Sequence, residues 1–415
     1  MTAVDRFDRY VQRVPELMDE LAPARVPDYF DNLLQVTAGA RQRPAWPSLE
    51  RWLPVQLTAS SAWTRRPAMR PLALVVLTAA IVLALAVAFV IGSKPKLPPL
   101  FGPAGNGLIV YCDQSSGAND IYALNSATGA KTLLIGGASD DLAPVVAPTG
   151  QRFLFARLTD VETFYTAKLD GSDIRLLIEG SVALPVVWSR DGTQVLAVPE
   201  FGGDPIIVDV ATGARTPIHV STPVTNAAWL SDGRLLLVSQ GIEGFERFAV
   251  VGADGTGEAL LATPNAGLAW GLDPAGKRLA WVEWIDKSGD DRVLHVLTLA
   301  TGADEVVTPN RATGENFSTP AFTPDGQWLT AVRRFEGTSQ LALVSADGSG
   351  QPLLLGPVVS SSDAEITPLF APDGQSLVVA YDDGSVWRFS VPGGTGEQLS
   401  WPNMAGGASW QRVAN

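Results

Sequence analysis

Residues 324–332 read PDGQWLTAV, and residues 372–380 read PDGQSLVVA. Each stretch is an Asp-Gly turn that leads into a mostly apolar run, a pattern typical of a tight turn followed by a buried β-strand. The turn glycines of this and related stretches are 41 to 50 residues apart, a period that indicates a propeller or a solenoid. The five related stretches are GNGLIVYC at 105–112, PTGQRFLFA at 148–156, RDGTQVLAV at 190–198, SDGRLLLVS at 231–239 and PAGKRLAWV at 274–282.

A second kind of turn alternates with the first and joins two further apolar runs. Its glycines predict hairpins, because glycine enters φ > 0 conformations without the steric cost that other residues meet. The seven examples are NSATGAKTLL, KLDGSDIRLL, DVATGARTPI, GADGTGEALL, TLATGADEVV, SADGSGQPLL and VPGGTGEQLS. Seven turns of each kind predict seven four-stranded units, and the strand-only content favours a seven-bladed β-propeller at 107–415 over a leucine-rich or β-helix solenoid.

The two ends of the repeat region look complementary. The C-terminal GGASWQRV at 406–413 reads as a lone first strand, and the unit that starts at Gly107 lacks one. Because open sheet edges are a liability, we expect these ends to pair and close the ring. Trp410 falls where an aromatic residue recurs, and we expect all of these to pack between blades: Trp188, Trp229, Phe322 and Phe370. The Asp residues of the first turns are expected to bond to their own turn backbone.

The PDGQ turns and the phrase DGSGQPLLL at 347–355 resemble the TolB-like, WD-type propeller repeat. The resemblance extends over about residues 105–413. It implies the propeller fold, which hosts many activities. Members of this family outside the cytoplasm commonly bind proteins, so the resemblance implies protein binding here.

An apolar stretch precedes the repeats. Residues 72–91, LALVVLTAAIVLALAVAFVI, contain no charge, and about 20 such residues match the roughly 30 Å hydrocarbon core of a bilayer. We predict an uncleaved single-pass transmembrane helix at 71–92, because 71 residues precede the stretch and a signal peptide would start near residue 1. Four arginines flank it on the N-terminal side and two lysines on the other, which favours a cytoplasmic N-terminus and an extracytoplasmic propeller. Residues 93–106 read as a Pro- and Gly-rich linker.

Composition excludes several classes of protein. The formal net charge is −13, and residues 93–415 carry 20 basic and 35 acidic side chains, which argues against a nucleic-acid binder. Cys112 is the single cysteine, so it cannot form an internal disulfide, and with two histidines the chain cannot build a cysteine-based zinc site. No cofactor is predicted.

The acidic side chains concentrate in one set of predicted loops. The short stereotyped turns share one rim, so the variable second-to-third and fourth-to-first loops share the other, where binding is expected. These loops hold 21 acidic and 7 basic residues, a field that would attract a cationic peptide, a polyamine or a divalent ion. The alternative is a merely solvated surface. The predicted ligand-binding residues are Glu283, Asp286, Asp290 and Asp291 as the densest cluster, with Asp113, Asp204, Asp382 and Asp383.

No catalytic residue is predicted. The chain has no G-x-S-x-G nucleophile motif, and His219 and His295 are interpreted as structural. The rim acids match no EF-hand spacing, so no metal site is assigned. The sequence therefore favours a binding protein. The alternative function is a propeller hydrolase or lyase that acts on extracytoplasmic glycans or peptides, since paired acids could cleave glycosides.

Residues 1–70 carry helical periodicity, with apolar residues three and four apart from Val4 to Leu21. They are predicted to form a cytoplasmic helical leader. The layout, together with RVPDYFDNLL at 25–34, resembles cytoplasmic segments of bacterial membrane-bound anti-sigma regulators, although the His…Cys-x-x-Cys motif of many such proteins is absent. The resemblance implies signal transduction to a cytoplasmic helical partner such as a sigma factor. The alternative is a membrane-proximal anchor without a partner.

Overall fold

A computed structural model describes the C-terminal three quarters of the chain with short gaps. The described residues are 76–82, 97–99, 101–113, 117–160, 162–200, 202–240, 246–264, 266–285, 291–308, 314–361, 366–404 and 407–414. The chain divides into two compact units, Met1–Lys94 and Pro95–Asn415. All described strands belong to the second unit.

The first unit is described only at 76–82, which is helical and exposed. Within the described ranges, no helix is long and apolar enough to cross a membrane. The predicted leader at 1–70 and most of the predicted span at 71–92 lie outside the described residues. Both stay predictions.

The second unit is a seven-bladed β-propeller, as the turn repeats predict. Each blade is a four-stranded antiparallel sheet, and the strands of each blade run in order from the innermost outward. Blade 1 consists of β28 (Ala408–Val413), β1 (Gly105–Asp113), β2 (Asp120–Asn125) and β3 (Lys131–Ile135). Blade 2 consists of β4 (Asp140–Val146), β5 (Arg152–Leu158), β6 (Glu162–Lys168) and β7 (Arg175–Glu179). Blade 3 consists of β8 (Val182–Trp188), β9 (Gln194–Pro199), β10 (Ile206–Asp209) and β11 (Arg215–Pro217).

The remaining four blades follow the same order. Blade 4 consists of β12 (Asn226–Trp229), β13 (Leu235–Gln240), β14 (Glu246–Val251) and β15 (Ala259–Ala262). Blade 5 consists of β16 (Ala266–Leu272), β17 (Arg278–Trp284), β18 (Arg292–Thr298) and β19 (Ala303–Val306). Blade 6 consists of β20 (Asn316–Phe322), β21 (Trp328–Phe335), β22 (Thr338–Ser345) and β23 (Leu353–Val359). Blade 7 consists of β24 (Pro368–Phe370), β25 (Ser376–Ala380), β26 (Val386–Ser390) and β27 (Gly396–Leu399).

The hydrophobic core lies between the blades rather than within one sheet. The second strand of a blade is buried on both faces, as at β13, because neighbouring blades cover it from both sides. Its sequence LLLVSQ accordingly begins with four consecutive apolar residues instead of an alternating pattern. The outermost strands β11 and β19 are exposed along their whole length.

The ring closes between the two ends of the repeat region, as predicted. Strand β28 pairs antiparallel with β1, with Trp410 opposite Ile109 and Ala408 opposite Tyr111. The Trp410 indole N–H donates to the Gly107 carbonyl at 3.2 Å. Blade 1 therefore takes its innermost strand from the far end of the chain.

The recurring aromatic residues pack between blades, as predicted. Trp188 of blade 3 clusters with Leu154 and Phe164 of blade 2, and its indole N–H donates to the Val145 carbonyl at 2.9 Å. The other members pack in the same way against the blade that precedes them: Trp229, Phe322, Phe370 and Trp410. Their role is structural, because large buried rings supply much of the packing area between blades.

Two of the first-turn glycines, Gly150 and Gly276, are required both for their positive φ, which the sequence indicates, and for a close approach to a neighbouring blade, which it does not. Gly150 has φ +68°, and a Cβ there would lie 2.2 Å from the Arg412 carbonyl oxygen of the neighbouring blade. Gly276 likewise has φ +62° and approaches the backbone of Ser231. At these two positions, the turn lies too close to the backbone of the neighbouring blade to admit a Cβ. The turn Asp side chains accept backbone N–H bonds two residues on, as predicted: Asp191, Asp232, Asp325 and Asp373.

We expect Trp410→Phe to lower the free energy of unfolding by about 1–3 kcal/mol, because it removes the hydrogen bond to Gly107 and part of a buried ring. Trp387→Phe is the matched control, since no hydrogen bond of the Trp387 indole is recorded among the described residues. Urea denaturation followed by fluorescence measures both. Equal losses in the two variants would show that the hydrogen bond across the closure contributes nothing.

Candidate functional site

The two rims of the propeller differ in what covers them. The turn rim carries the first-to-second and third-to-fourth turns. Residues 97–99 and 101–104, the lead-in segment, lie against it. Arg412 of β28 donates to the Pro99 and Gly102 carbonyls, each at 2.8 Å, and the Ala104 N–H donates to Pro372 O at 2.8 Å.

An arginine on the turn rim, Arg190, contacts a turn of another blade and the lead-in segment. Arg190 of blade 3 donates to the Pro274 carbonyl of blade 5 at 2.8 Å, past the intervening blade. Its guanidinium lies 4.4 Å from the ring centre of Phe101 in the lead-in segment, a cation–π contact. Burial lowers the pKa of Arg190. Blades 3 and 5 and the lead-in segment are therefore tied together on this side.

The opposite rim, formed by the second-to-third and fourth-to-first loops, is the acidic rim. The predicted binding residues that the structure describes lie in four different blades. Asp113 lies in blade 1, Asp204 in blade 3, Glu283 in blade 5, and Asp382 and Asp383 in blade 7. Asp291 lies beside the start of β18 in blade 5, and Asp286 and Asp290 lie outside the described residues.

Several of these acids already have a basic partner. Lys131 Nζ lies 2.5 Å from an Asp113 carboxylate oxygen and 3.8 Å from the ring centre of Tyr122. His219 Nδ1 lies 2.6 Å from Asp204, and this hydrogen bond lowers the pKa of Asp204. Those two carboxylates are less available to a ligand than the loop sequences suggest.

His295 is the partner of Glu283. Its Nε2 lies 2.9 Å from Glu283, and its Nδ1 lies 3.0 Å from Asp304. The imidazole also stacks on Trp281, with ring centres 5.2 Å apart. The histidine is thus fixed by a ring and two carboxylates, which agrees with the structural role expected of it.

Three described acids of the predicted rim are buried: Asp120, Asp141 and Glu246. Asp141 is fully buried, and its carboxylate accepts two hydrogen bonds from Arg157, at 2.7 and 3.0 Å. Glu246 is 2% exposed, and neither carboxylate oxygen has a hydrogen-bond partner among the described residues. Burial raises the pKa of Glu246 to about 7. The sequence signal for this was weak, because Glu246 stands beside Arg247 at the start of its strand, in a stretch that reads as a loop.

Blade 7 carries an exposed acidic residue beside two cavities. A cavity of about 270 Å³ lies between blades 7 and 1, lined by residues 367–369, Met404 and Ala408. A second cavity, of about 250 Å³, lies between blades 6 and 7, lined by residues 357–360 and Ile366. Asp382, in the loop between β25 and β26, lines both.

The two acids of this loop differ in what they do. The Asp383 carboxylate accepts the Ser385 N–H at 2.8 Å and so holds the turn. Asp382 is exposed, and no hydrogen bond or ion pair of its carboxylate is recorded in the part of the chain that the structure describes. Among the predicted binding residues that the structure describes, Asp382 is therefore exposed, without a recorded partner and next to two cavities.

The described residues contain no group of three His, Cys, Asp or Glu side chains that could hold a metal ion. The described members of the predicted binding set lie in blades 1, 3, 5 and 7. At blade 7, negative charge lies beside two cavities, of which the one between blades 6 and 7 is mainly apolar, a combination that suits an organic cation.

No family model matches the chain. Several solved propellers are similar to it at low sequence identity, which supports the fold alone. A prolyl endopeptidase aligns with a TM-score of 0.54 and 14% identity over 76% of this chain and 51% of that chain. An oligogalacturonate lyase in complex with manganese aligns with a TM-score of 0.52 and 14% identity over 73% of this chain and 89% of that one.

A third similar structure is the β-propeller domain of the Trilobed protease from Pyrococcus furiosus. It aligns with a TM-score of 0.52 and 14% identity over 74% of this chain and 99% of that chain. That domain has an open velcro topology, whereas β28 closes the ring here. TolB from Acinetobacter baumannii aligns with a TM-score of 0.43 and 18% identity over 61% of this chain, which spans 65% of the TolB chain.

Proposed function

We propose that the propeller is a non-enzymatic binding module that takes a cationic ligand, or a cationic segment of a protein, on its acidic rim. One observation carries the proposal: Asp382 lies exposed on this rim, between two cavities, without a partner among the described residues. The lead-in segment lies on the opposite rim, so it leaves this site open. The net charge of residues 93–415, from 20 basic and 35 acidic side chains, supports attraction of a cation.

The proposal extends to the place of the module in the cell. The apolar stretch at 72–91 would anchor the chain as a single-pass membrane protein with the propeller outside the cytoplasm. The leader at 1–70 would then report binding to a cytoplasmic helical partner such as a sigma factor. These parts of the proposal rest on the sequence.

We expect Asp382→Lys to weaken binding of a tetralysine peptide by about tenfold at low salt, because it replaces attraction with repulsion at the site. Glu305→Lys is the matched control, since it changes the net charge equally on the exposed outer strand β19. Isothermal titration of the full chain measures both. If Glu305→Lys weakens binding as much as Asp382→Lys, the attraction is not localised at the rim and the proposal fails.

The rival function is a propeller hydrolase or lyase. Two of the similar structures are a prolyl endopeptidase and an oligogalacturonate lyase, so proline-containing peptides and oligogalacturonate are suitable substrates for a trial. We expect the full chain to turn over neither. Turnover that Asp382→Asn abolishes would replace the binding proposal with an enzymatic one.

A further inference from the structure

The cavity between blades 6 and 7 has the dimensions and walls of a slot for a short alkyl chain. Its volume of about 250 Å³ corresponds to roughly eight water molecules at their share of liquid volume. Four apolar side chains contribute to its walls: Pro357, Val358, Val359 and Ile366. An apolar lining of this kind favours a hydrocarbon group over a hydrated ion.

One wall of the slot is polar and belongs to blade 7. Tyr381 is 5% exposed, and its hydroxyl has no hydrogen-bond partner among the described residues. The hydroxyl lies against Gly356, where a Cβ would come within 2.5 Å of it. Gly356 directly precedes the slot residue Pro357. Only glycine at 356 therefore lets the tyrosine occupy this place beside the slot.

The charge at this wall is negative and fixed. Burial, together with the nearby Asp383 carboxylate, raises the pKa of Tyr381 to about 12, so its hydroxyl stays neutral. Hydrogen bonding by Ser385, whose backbone N–H donates at 2.8 Å, lowers the pKa of Asp383, which therefore stays ionised. Asp382 adds a second carboxylate. A neutral phenol and two carboxylates offer separate acceptors to a compact donor.

We propose that this slot binds a primary ammonium group carried on an unbranched alkyl chain. The alkyl chain lies against Val358 and Ile366, and the ammonium group donates to Asp382 and to the Tyr381 hydroxyl. An ammonium ion has three rotatable donors, which suit separated acceptors better than the planar fork of a guanidinium does. A divalent cation would need six to eight oxygen ligands, which an apolar slot does not supply. The inference rests on the proposed function, whose ligand class it names.

Two sources share this chemistry, a free alkylamine and a lysine side chain. The test titrates the full chain with n-pentylamine and with N-acetyl-lysine methylamide, and uses n-pentanol as the uncharged match. We expect both amines to bind and pentanol to bind at least tenfold more weakly, because it lacks the charge. Tighter binding of pentylamine identifies a free amine as the better ligand, and tighter binding of the lysine derivative identifies a protein segment.

Variants locate the binding. Val358 is 55% exposed, so Val358→Trp fills the slot from outside without disturbing the core, and we expect it to reduce amine binding more than tenfold. Tyr381→Phe should reduce amine binding about threefold, as one hydrogen bond is lost. Tyr111→Phe is its control, because Tyr111 is also buried with a partnerless hydroxyl among the described residues but does not line the slot.

Equal binding of pentanol and pentylamine would overturn the inference, as would undiminished amine binding by Val358→Trp. Binding of tetralysine distinguishes an error in the inference about the slot from an error in the proposed function of the acidic rim. If wild type binds tetralysine but neither amine, the inference about the slot is wrong and the acidic rim retains its proposed role. If tetralysine is not bound either, both are wrong.

Discussion

Gly150→Ala should lower the free energy of unfolding by about 2–5 kcal/mol. Alanine at this position would be destabilising for two reasons, backbone strain and a steric clash. The residue has φ +68°, a conformation that costs an L-residue about 1–2 kcal/mol. Its Cβ would also lie 2.2 Å from the Arg412 carbonyl oxygen, and relieving such a backbone contact costs about 1–3 kcal/mol. Because Arg412 belongs to β28, relief of the contact would push the closing strand away.

Gly129→Ala separates the two penalties. Gly129 has φ +73°, and a Cβ there would meet nothing within 4 Å. We therefore expect a loss of only about 1–2 kcal/mol, from backbone strain alone. Urea denaturation of the two variants beside wild type gives the difference. If both variants lose the same amount, the approach of the blade 2 turn to β28 does not constrain the sequence.

Glu246→Gln should stabilise the protein by about 3 kcal/mol at pH 8 and by almost nothing below pH 4.5. Burial raises the pKa of Glu246 from 4.5 to about 7, so between these values the folded state holds a proton that the unfolded state releases. Stability therefore falls as pH rises through this window and is constant above it. Glutamine keeps the shape of the protonated acid but does not titrate, so it removes this contribution to the dependence of stability on pH.

The matched control for this variant is Glu305→Gln, which removes one negative charge from an exposed position on β19. The unfolding free energy is measured at pH 4.5, 6 and 8. Its decrease with pH should be the same in the control as in wild type and smaller in Glu246→Gln. An unchanged slope in Glu246→Gln would mean that Glu246 is as well solvated in the folded protein as in the unfolded one.

The blade number and the closure were accessible from sequence because they depend on local chemistry. A turn glycine marks each hairpin whatever surrounds it, so fourteen turns predict seven four-stranded sheets. The unpaired strand around Trp410 could be matched to the missing strand before Gly107 by counting. The resulting pairing of β28 with β1 is the one observed.

The charge of the acidic rim was less accessible, because it depends on side chains that cross between strands. Lys131 starts β3, yet its ammonium group reaches Asp113 at the other end of β1. Counting the charges of each loop separately misses such a partner. The loop sequence predicts Glu246 as a rim charge, whereas the structure buries it, because the sequence does not indicate how much of the start of β14 is covered.

The cavities could not be predicted for a related reason. The slot between blades 6 and 7 depends on the break in register between β22 and β23, near Gly356. Such a bulge is set by how the fourth strand meets its neighbour. Only Asp382, among the residues predicted from the acidic loops, lines both cavities, and nothing in the sequence distinguishes it from Asp383.

Closure by β28 delays completion of blade 1 during biosynthesis. About 300 residues separate β1 from its inner partner, so at 5–20 residues per second a ribosome needs about 15–60 s to produce the second after the first. Throughout that interval the nascent chain presents an unsatisfied β1 edge, to which a strand of another polypeptide can add. Slow translation, or a ribosome stalled before residue 408, should therefore favour co-aggregation of nascent chains over completion of the ring.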